Sequence, residues 1–137
     1  PNMKNVINAA VKYREAFRPF APSVQEEFAS DYFEMQGNQR VPFMERVFPI
    51  RHEYLARLPA VAHIDGSARL QTVSKQINLR YWRLIEEFGK LTGISVLLNT
   101  SFNVNGEPIV CSPSDAIRTF YSCGLDFLVL GDYIVSK

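Results

Sequence analysis

The chain has 137 residues, 47% of them hydrophobic and 21% charged, the proportions of a globular domain long enough to bury its own core. Fifteen basic against fourteen acidic residues leave a net charge of +1, which excludes the broad electropositive surface of a nonspecific nucleic-acid binder. Cys111, Cys123, His52 and His63 are the only cysteines and histidines and have no zinc-site spacing, and no apolar run approaches a membrane span. One domain over residues 1–137 is therefore expected, in a reduced, cytoplasmic protein with neither nucleic-acid nor membrane partners and no signal peptide. Pro1 stands where a start methionine would, with helix-like text close behind, so a piece of a longer polypeptide is expected.

In chain order, "VKYRE" (11–15) predicts a strand, and "FRPFAPS" (17–23) an extended, proline-stiffened segment with Phe20 packed. A weak helix is predicted in "SVQEEFASDYFE", an exposed loop around Gly37, and strands at "MERVFPI", "AVAHID" and "ARLQTV". "NLRYWRLIEEFGKLTG" is the clearest helix, with Leu79, Trp82, Ile85 and Phe88 at helical spacing and Gly93 as the stop. "ISVLLNTSF" follows as a strand apolar on both faces, then Asn105-Gly106, a tight-turn signal, and Pro108, which suits an edge or loop. In "SPSDAIRTFYSCG", Ser112 fits an N-cap, Pro113 the first helical position, Asp115 the capping-box site and Gly124 the stop. "DFLVLGDYIVS" reads as a hairpin turning at Gly131-Asp132. Intermixed helices and strands without strict alternation predict an α/β fold, bordering on α+β, with an open mixed sheet covered by helices.

Polar residues two apart on a strand share a face, and the chain repeats that spacing. Lys12 pairs with Arg14, His63 with Asp65, and Arg69 with Gln71, while Asn99, Ser101 and Asn103 make a triplet. Each pair also fits the solvated face of a half-buried sheet, and Asp65-Gly66 fits plain turn chemistry. The triplet is harder to read that way, because it ends a strand whose apolar run predicts a central position, and open sheets bind ligands at strand ends. Arg18 is a further candidate cation near the Lys12/Arg14 pair, with Arg46 and Arg51 more in keeping with surface charges. Converging, such groups would offer cations to phosphates and neutral donors and acceptors to a small planar group. There is no Walker sequence, and no histidine lies near Ser101 in sequence to activate it. Phosphoryl or adenylyl transfer needs aimed donors and cations, and usually a metal ion, rather than a protein nucleophile.

"VKYREAFRPFAPSV", "PAVAHIDGSARLQTV" and "TGISVLLNTSFNVNGEPIVCSPSDAI", in that order, resemble the C-terminal domain of the NodU/CmcH-type O-carbamoyltransferases, and the likeness extends to "LVLGDYIVSK". The resemblance implies a YrdC-like fold whose K-x-R and S-x-N signature falls on Lys12, Arg14, Ser101 and Asn103. It further implies binding of ATP and carbamoyl phosphate, formation of carbamoyladenylate with magnesium assisting, and transfer to an acceptor hydroxyl in an N-terminal Kae1-like domain of the same polypeptide, which carries its own metal site. By this carry-over Lys12, Arg14 and Arg69 hold phosphates, and Ser101 and Asn103 hold a nucleotide phosphate or the carbamoyl group. His63 and Asp65 belong at the carbamoyl phosphate end, and Gly66-Ser67 fits the family's D-G-[TS] turn. The candidate catalytic residues are thus His63, Asp65 and Ser101, and the candidate binding residues add Lys12, Arg14, Arg18, Arg69, Gln71, Asn99 and Asn103, with no metal ligand on this chain. A threonylcarbamoyladenylate synthase of the same fold and a noncatalytic nucleotide-binding module are the alternatives; "GEPIVCSPSDAI" and "FRPFAPS" favour the carbamoyltransferase.

Overall fold

The computed structural model describes residues 2–13, 15, 17–37 and 39–137. Among these the elements in chain order are α1 (Met3–Ile7), β1 (Ala21–Gln25), α2 (Ala29–Tyr32), β2 (Arg46–Pro49), α3 (His52–Leu55), β3 (Ser67–Val73), α4 (Leu79–Thr92), β4 (Val96–Asn99), α5 (Pro113–Ser122), β5 (Phe127–Leu130) and β6 (Tyr133–Ser136). They fall into two units, Pro19–Thr100 and the paired segments Asn2–Arg18 and Ser101–Lys137. The mixed α/β class expected from the sequence is the one observed, with an open four-stranded mixed sheet in the first unit and a two-stranded sheet in the second. Among the described residues no helix is long and apolar enough to cross a membrane.

The first unit is organised by β1, which lies between β3 and β4 in the order β2-β3-β1-β4. It runs parallel to β3, with Ser23 opposite Gln71, and antiparallel to β4, with Ala21 opposite Asn99. All five β1 residues are buried, as a strand flanked on both sides requires. This overturns the first half of the helix expected at "SVQEEFASDYFE"; only a 3₁₀ turn at Glu26–Phe28 and the short α2 follow the strand. Pro22 lacks a backbone donor, but the β1–β3 ladder starts one residue later, at Ser23. Val24, Phe33, Val41, Ala68 and Leu70 form the centre of the core, each with no exposed surface.

The helix α4 packs on β1 and β4, burying Trp82 and Ile85 against Val73 and Leu97. Burial of each of those two side chains stabilises by about 1.5–3 kcal/mol. At its start the Asn78 side chain accepts from the Tyr81 N–H, and at its end Gly93 closes the helix as expected, in the left-handed conformation at φ 73°. Gly89 has a different role. A Cβ there would stand 2.0 Å from the Ser95 hydroxyl oxygen and 3.2 Å from the Ser95 Cα, so its bare backbone is what lets α4 lie so close to the start of β4.

In the second unit α5 begins with the expected capping box: the Ser112 hydroxyl accepts from the Asp115 N–H at 3.1 Å, and the Ser112 N–H donates to the Asp115 carboxylate at 3.1 Å. The helix ends at Ser122 with an extended Cys123, before the glycine expected to stop it. Ala116 and Phe120 pack on Leu128 of the β5–β6 hairpin, which turns at Gly131 as expected. The N-terminal segment is held by the Gly124 N–H, which donates to the Ala10 carbonyl at 2.7 Å.

Three further expectations are corrected. "VKYRE" is not a strand: Asn8–Lys12 is π-helical, Val11 and Lys12 are both buried, and Tyr13 follows in the left-handed region at φ 46°. "AVAHID" is a turn, closed by the His63 N–H on the Ser67 carbonyl at 2.7 Å and the Gly66 N–H on the His63 carbonyl at 3.1 Å. "ISVLLNTSF" forms the edge strand of the order β2-β3-β1-β4, not the central one expected, and leaves the sheet after Asn99, so Ser101 and Asn103 lie beyond the strand. Replacing Gly89 with alanine tests the packing of α4: although alanine favours helices by about 1 kcal/mol, the clash with Ser95 should make G89A less stable in urea denaturation. An equal or higher midpoint would show that Ser95 yields without cost.

Candidate functional site

Lys12 is almost fully buried, with 5% of its surface exposed. Among the described residues its ammonium donates to the Ser101 carbonyl at 2.6 Å, the Ser101 hydroxyl at 3.1 Å, the Asn103 carbonyl at 3.1 Å and the Asn103 Oδ1 at 2.8 Å. Three N–H donors thus serve four acceptors, a dense shell that offsets the cost of removing the charge from water. The Ser101 hydroxyl donates its own proton to the Asn103 Oδ1 at 2.6 Å, which turns its lone pairs toward Lys12. The Asn103 amide N–H donates to the Glu107 carbonyl at 2.8 Å, across the Asn105-Gly106 turn that the Glu107 N–H closes on the Val104 carbonyl. Asn103 is therefore fixed with its oxygen toward the lysine. The three residues do meet, but the meeting is made by a buried lysine reaching a loop, not by a shared strand face.

Gln71 and Asn99 belong to a second cluster, in the first unit. The Gln71 Oε1 accepts from the Ser23 hydroxyl and from the Asn99 amide, each at 2.6 Å, and the Gln71 amide donates to the Pro42 carbonyl at 3.0 Å. Gln71 also lines a cavity of about 260 Å³ together with Arg40, Phe43, Ser74, Asn78 and Tyr81. Burial raises the Tyr81 phenol above its ordinary value of 10.0, and a hydrogen bond with Ser23 works the other way. Sequence reasoning missed Ser23 and Tyr81: Pro22 disguised the strand that carries the first, and the second reads as an ordinary helix residue.

His63 and Asp65 form a third cluster through Ser67. The Ser67 hydroxyl donates to the Asp65 Oδ1 at 2.6 Å, and the Ser67 N–H donates to the same oxygen at 3.0 Å. With its only proton so committed, the hydroxyl accepts from the His63 Nδ1–H at 3.0 Å. The His63 Nε2 is buried and has no hydrogen-bond partner among the described residues. The cluster caps the start of β3, four residues before Gln71, or roughly 13 Å along the strand. His63 and Asp65 are thus joined to each other but not to the Gln71 group.

The remaining candidates are cations. Arg18 is exposed and ion-paired to Glu15 at 3.0 Å. Arg69 is exposed on β3 opposite Val47 of β2. Arg14 lies outside the described residues. Arg51 donates to the Ser30 carbonyl at 2.7 Å, and Arg46 lies over the Phe48 ring at 5.5 Å, so both serve the fold. Among the described residues no group of three or more His, Cys, Asp or Glu side chains could hold a metal ion.

Against this geometry the comparisons with known proteins are direct. The family model described as Carbamoyltransferase C-terminus matches residues 1–137, and the chain belongs to that family. It is 54% identical over 135 residues to nodulation protein NolNO of Sinorhizobium fredii, covering 98% of this chain and 20% of that protein. It is 53% identical over 135 residues to nodulation protein NolO of Bradyrhizobium diazoefficiens, again over 98% of this chain and 25% of that protein. Nodulation protein U of Rhizobium tropici is 44% identical over 106 residues, 77% of this chain and 18% of that protein. The chain spans a quarter or less of the length of these relatives.

Two measurements check the clusters. Asn103→Ala removes an acceptor from a buried ammonium and should cost about 1.5–3 kcal/mol in urea denaturation; a loss under about 0.5 kcal/mol would mean that Lys12 does not depend on it. The Ser67 hydroxyl, then the Ser67 N–H, holds the Asp65 carboxyl below its ordinary 3.8. Because the folded value is the lower one, the stabilisation is present above the ordinary value and is lost as pH falls through the folded one. Ser67→Ala should therefore move the Asp65 titration upward toward 3.8 when followed by carboxyl NMR, and an unmoved midpoint would assign the shift elsewhere.

Proposed function

We propose that the chain is the C-terminal domain of an O-carbamoyltransferase, that it binds ATP and carbamoyl phosphate, and that it forms carbamoyladenylate for transfer to an acceptor hydroxyl by a preceding Kae1-like domain of the same polypeptide. The chemistry balances in two steps. Water releases inorganic phosphate from carbamoyl phosphate to give carbamate, and a carbamate oxygen then displaces pyrophosphate at the α-phosphorus of ATP. Neither step needs a nucleophile from the protein; both need negative charge held in place while it moves between oxygens.

The observation that carries this reading is the Lys12 ammonium fixed by Ser101 and Asn103, on the positions to which the resemblance assigns the K-x-R and S-x-N signature. Lys12 offers a point charge to a phosphate oxygen, and the exposed Ser101 hydroxyl and half-buried Asn103 amide offer neutral polar groups beside it. Arg14 and Arg69 take phosphate oxygens by resemblance, and His63 and Asp65 take the carbamoyl phosphate end. Magnesium would arrive with the nucleotide, on its phosphate oxygens. A protein working through ATP and carbamoyl phosphate fits a cytoplasmic location.

The test is pyrophosphate release by the full-length polypeptide. Release should require both ATP and carbamoyl phosphate, and threonine with bicarbonate should not replace the latter. Lys12→Met, which keeps the aliphatic stem, should weaken ATP binding about tenfold or more while circular dichroism stays unchanged. ATP affinity equal to wild type in a folded K12M protein would remove Lys12 from the site, and pyrophosphate release without carbamoyl phosphate would sink the carbamoyl reading.

A further inference from the structure

The β5–β6 hairpin is apolar on both faces. Its inner face, Leu128, Leu130 and Val135, packs with Ala116 and Phe120 of α5. On the outer face Val129 stands directly opposite Ile134, and Phe127 opposite Ser136. Phe127, Val129 and Ile134 are 65%, 67% and 74% exposed, and Tyr133 beside the turn is 77% exposed. An antiparallel sheet with one face in water alternates apolar and polar residues, whereas strands covered on both faces read as continuous apolar runs. "FLVL" and "YIV" are such runs, and Ser136 is the one polar residue on the outer face. A two-stranded sheet also leaves both edges open for pairing, and such a sheet is marginal without further cover.

We propose that this outer face is the docking surface for the preceding part of the same polypeptide. The occupant follows from length and order. The chain accounts for 20% of NolNO and 25% of NolO, and its family is defined as a C-terminus, so in these relatives most of the polypeptide lies outside it and ahead of it. Covalent linkage raises the effective concentration of the partner, so a patch too small to hold a free protein tightly suffices for an attached one. The inference rests on the proposed function only in taking the chain to be the C-terminal part of a longer enzyme.

Hydroxyl-radical footprinting of the full-length polypeptide tests it, with Phe43 and Ile64, which are 82% and 101% exposed, as reference residues. Phe127, Val129 and Ile134 should be oxidised severalfold more slowly than the references at concentrations where the polypeptide is monomeric. The double variant Val129→Glu, Ile134→Glu should restore labelling of Phe127 and speed limited tryptic cleavage ahead of this domain. Labelling of the wild-type patch at the reference rate would overturn the proposal, as would protection that appears only on dimerisation, which would assign the face to a second copy. Pyrophosphate release is assayed on the same samples. Release without protection rejects the docking and leaves the carbamoyl reading standing; protection without release does the reverse.

Discussion

A buried ammonium must be surrounded by oxygen, and that requirement shapes the second unit. Removing an unpaired charge from water costs several kcal/mol, so Lys12 is tolerable at 5% exposure only where acceptors converge on it. Those acceptors come from Ser101 and Asn103, 89 and 91 residues further along the chain. One side chain thereby ties the N-terminal segment to the loop after β4, and the Gly124 N–H on the Ala10 carbonyl ties the same segment again two residues earlier. The backbone around Lys12 is correspondingly unusual: a π-helical segment ends at it, and Tyr13 takes a left-handed conformation that costs a non-glycine residue on the order of 1–2 kcal/mol. Such geometry persists only where surrounding contacts over-determine it, and here they do.

The first unit solves a related problem with neutral groups. Gln71 accepts twice on its oxygen and donates once from its nitrogen, so its amide has a single orientation consistent with all three partners. Those partners lie on β1, on β4 and in the segment before β2. A satisfied polar network inside a sheet fixes register more sharply than apolar contacts can, because a slip by one residue would strand every member. Ser23 opposite Gln71 and Asn99 at the end of β4 are thus as much a structural lock as candidate ligand groups.

The parts legible in the sequence were those governed by local rules. The α4 and α5 helices declared themselves through apolar spacing and caps, and the last hairpin through Gly131-Asp132. The misreadings share a cause: tertiary position overrode local pattern. "VKYRE" alternates like a strand, yet the adjacent residues Val11 and Lys12 are both buried, the one by apolar packing and the other by its oxygen shell. β1 was hidden because a proline normally excludes a central strand and because Val24, Phe28 and Tyr32 fall at helical spacing. The polar-x-polar rule gathered Ser101 with Asn103 although neither is on a strand, since two acceptors that serve one lysine also need to lie close together. It gathered His63 with Asp65 for yet another reason, since both bond to Ser67 across a turn.

The difference between Lys12 and Arg18 shows what burial does for a cation. Arg18 is 55% exposed and held by one surface ion pair, so fixing it on a ligand immobilises a long side chain at about 0.5–1.5 kcal/mol and gives up the contact with Glu15. Lys12 has met that cost on folding: its stem is buried and its ammonium is held by the oxygens of Ser101 and Asn103. Water screens the exposed charge strongly and the buried one weakly, so an incoming oxygen gains more from Lys12 at the same distance. A pre-aimed, poorly solvated cation beside a hydroxyl and an amide also needs little reorganisation when charge shifts from one phosphate oxygen to another. Within this unit Lys12 is thus a cation whose position Ser101 and Asn103 fix, and under the proposed function it is the group a phosphoryl oxygen would meet.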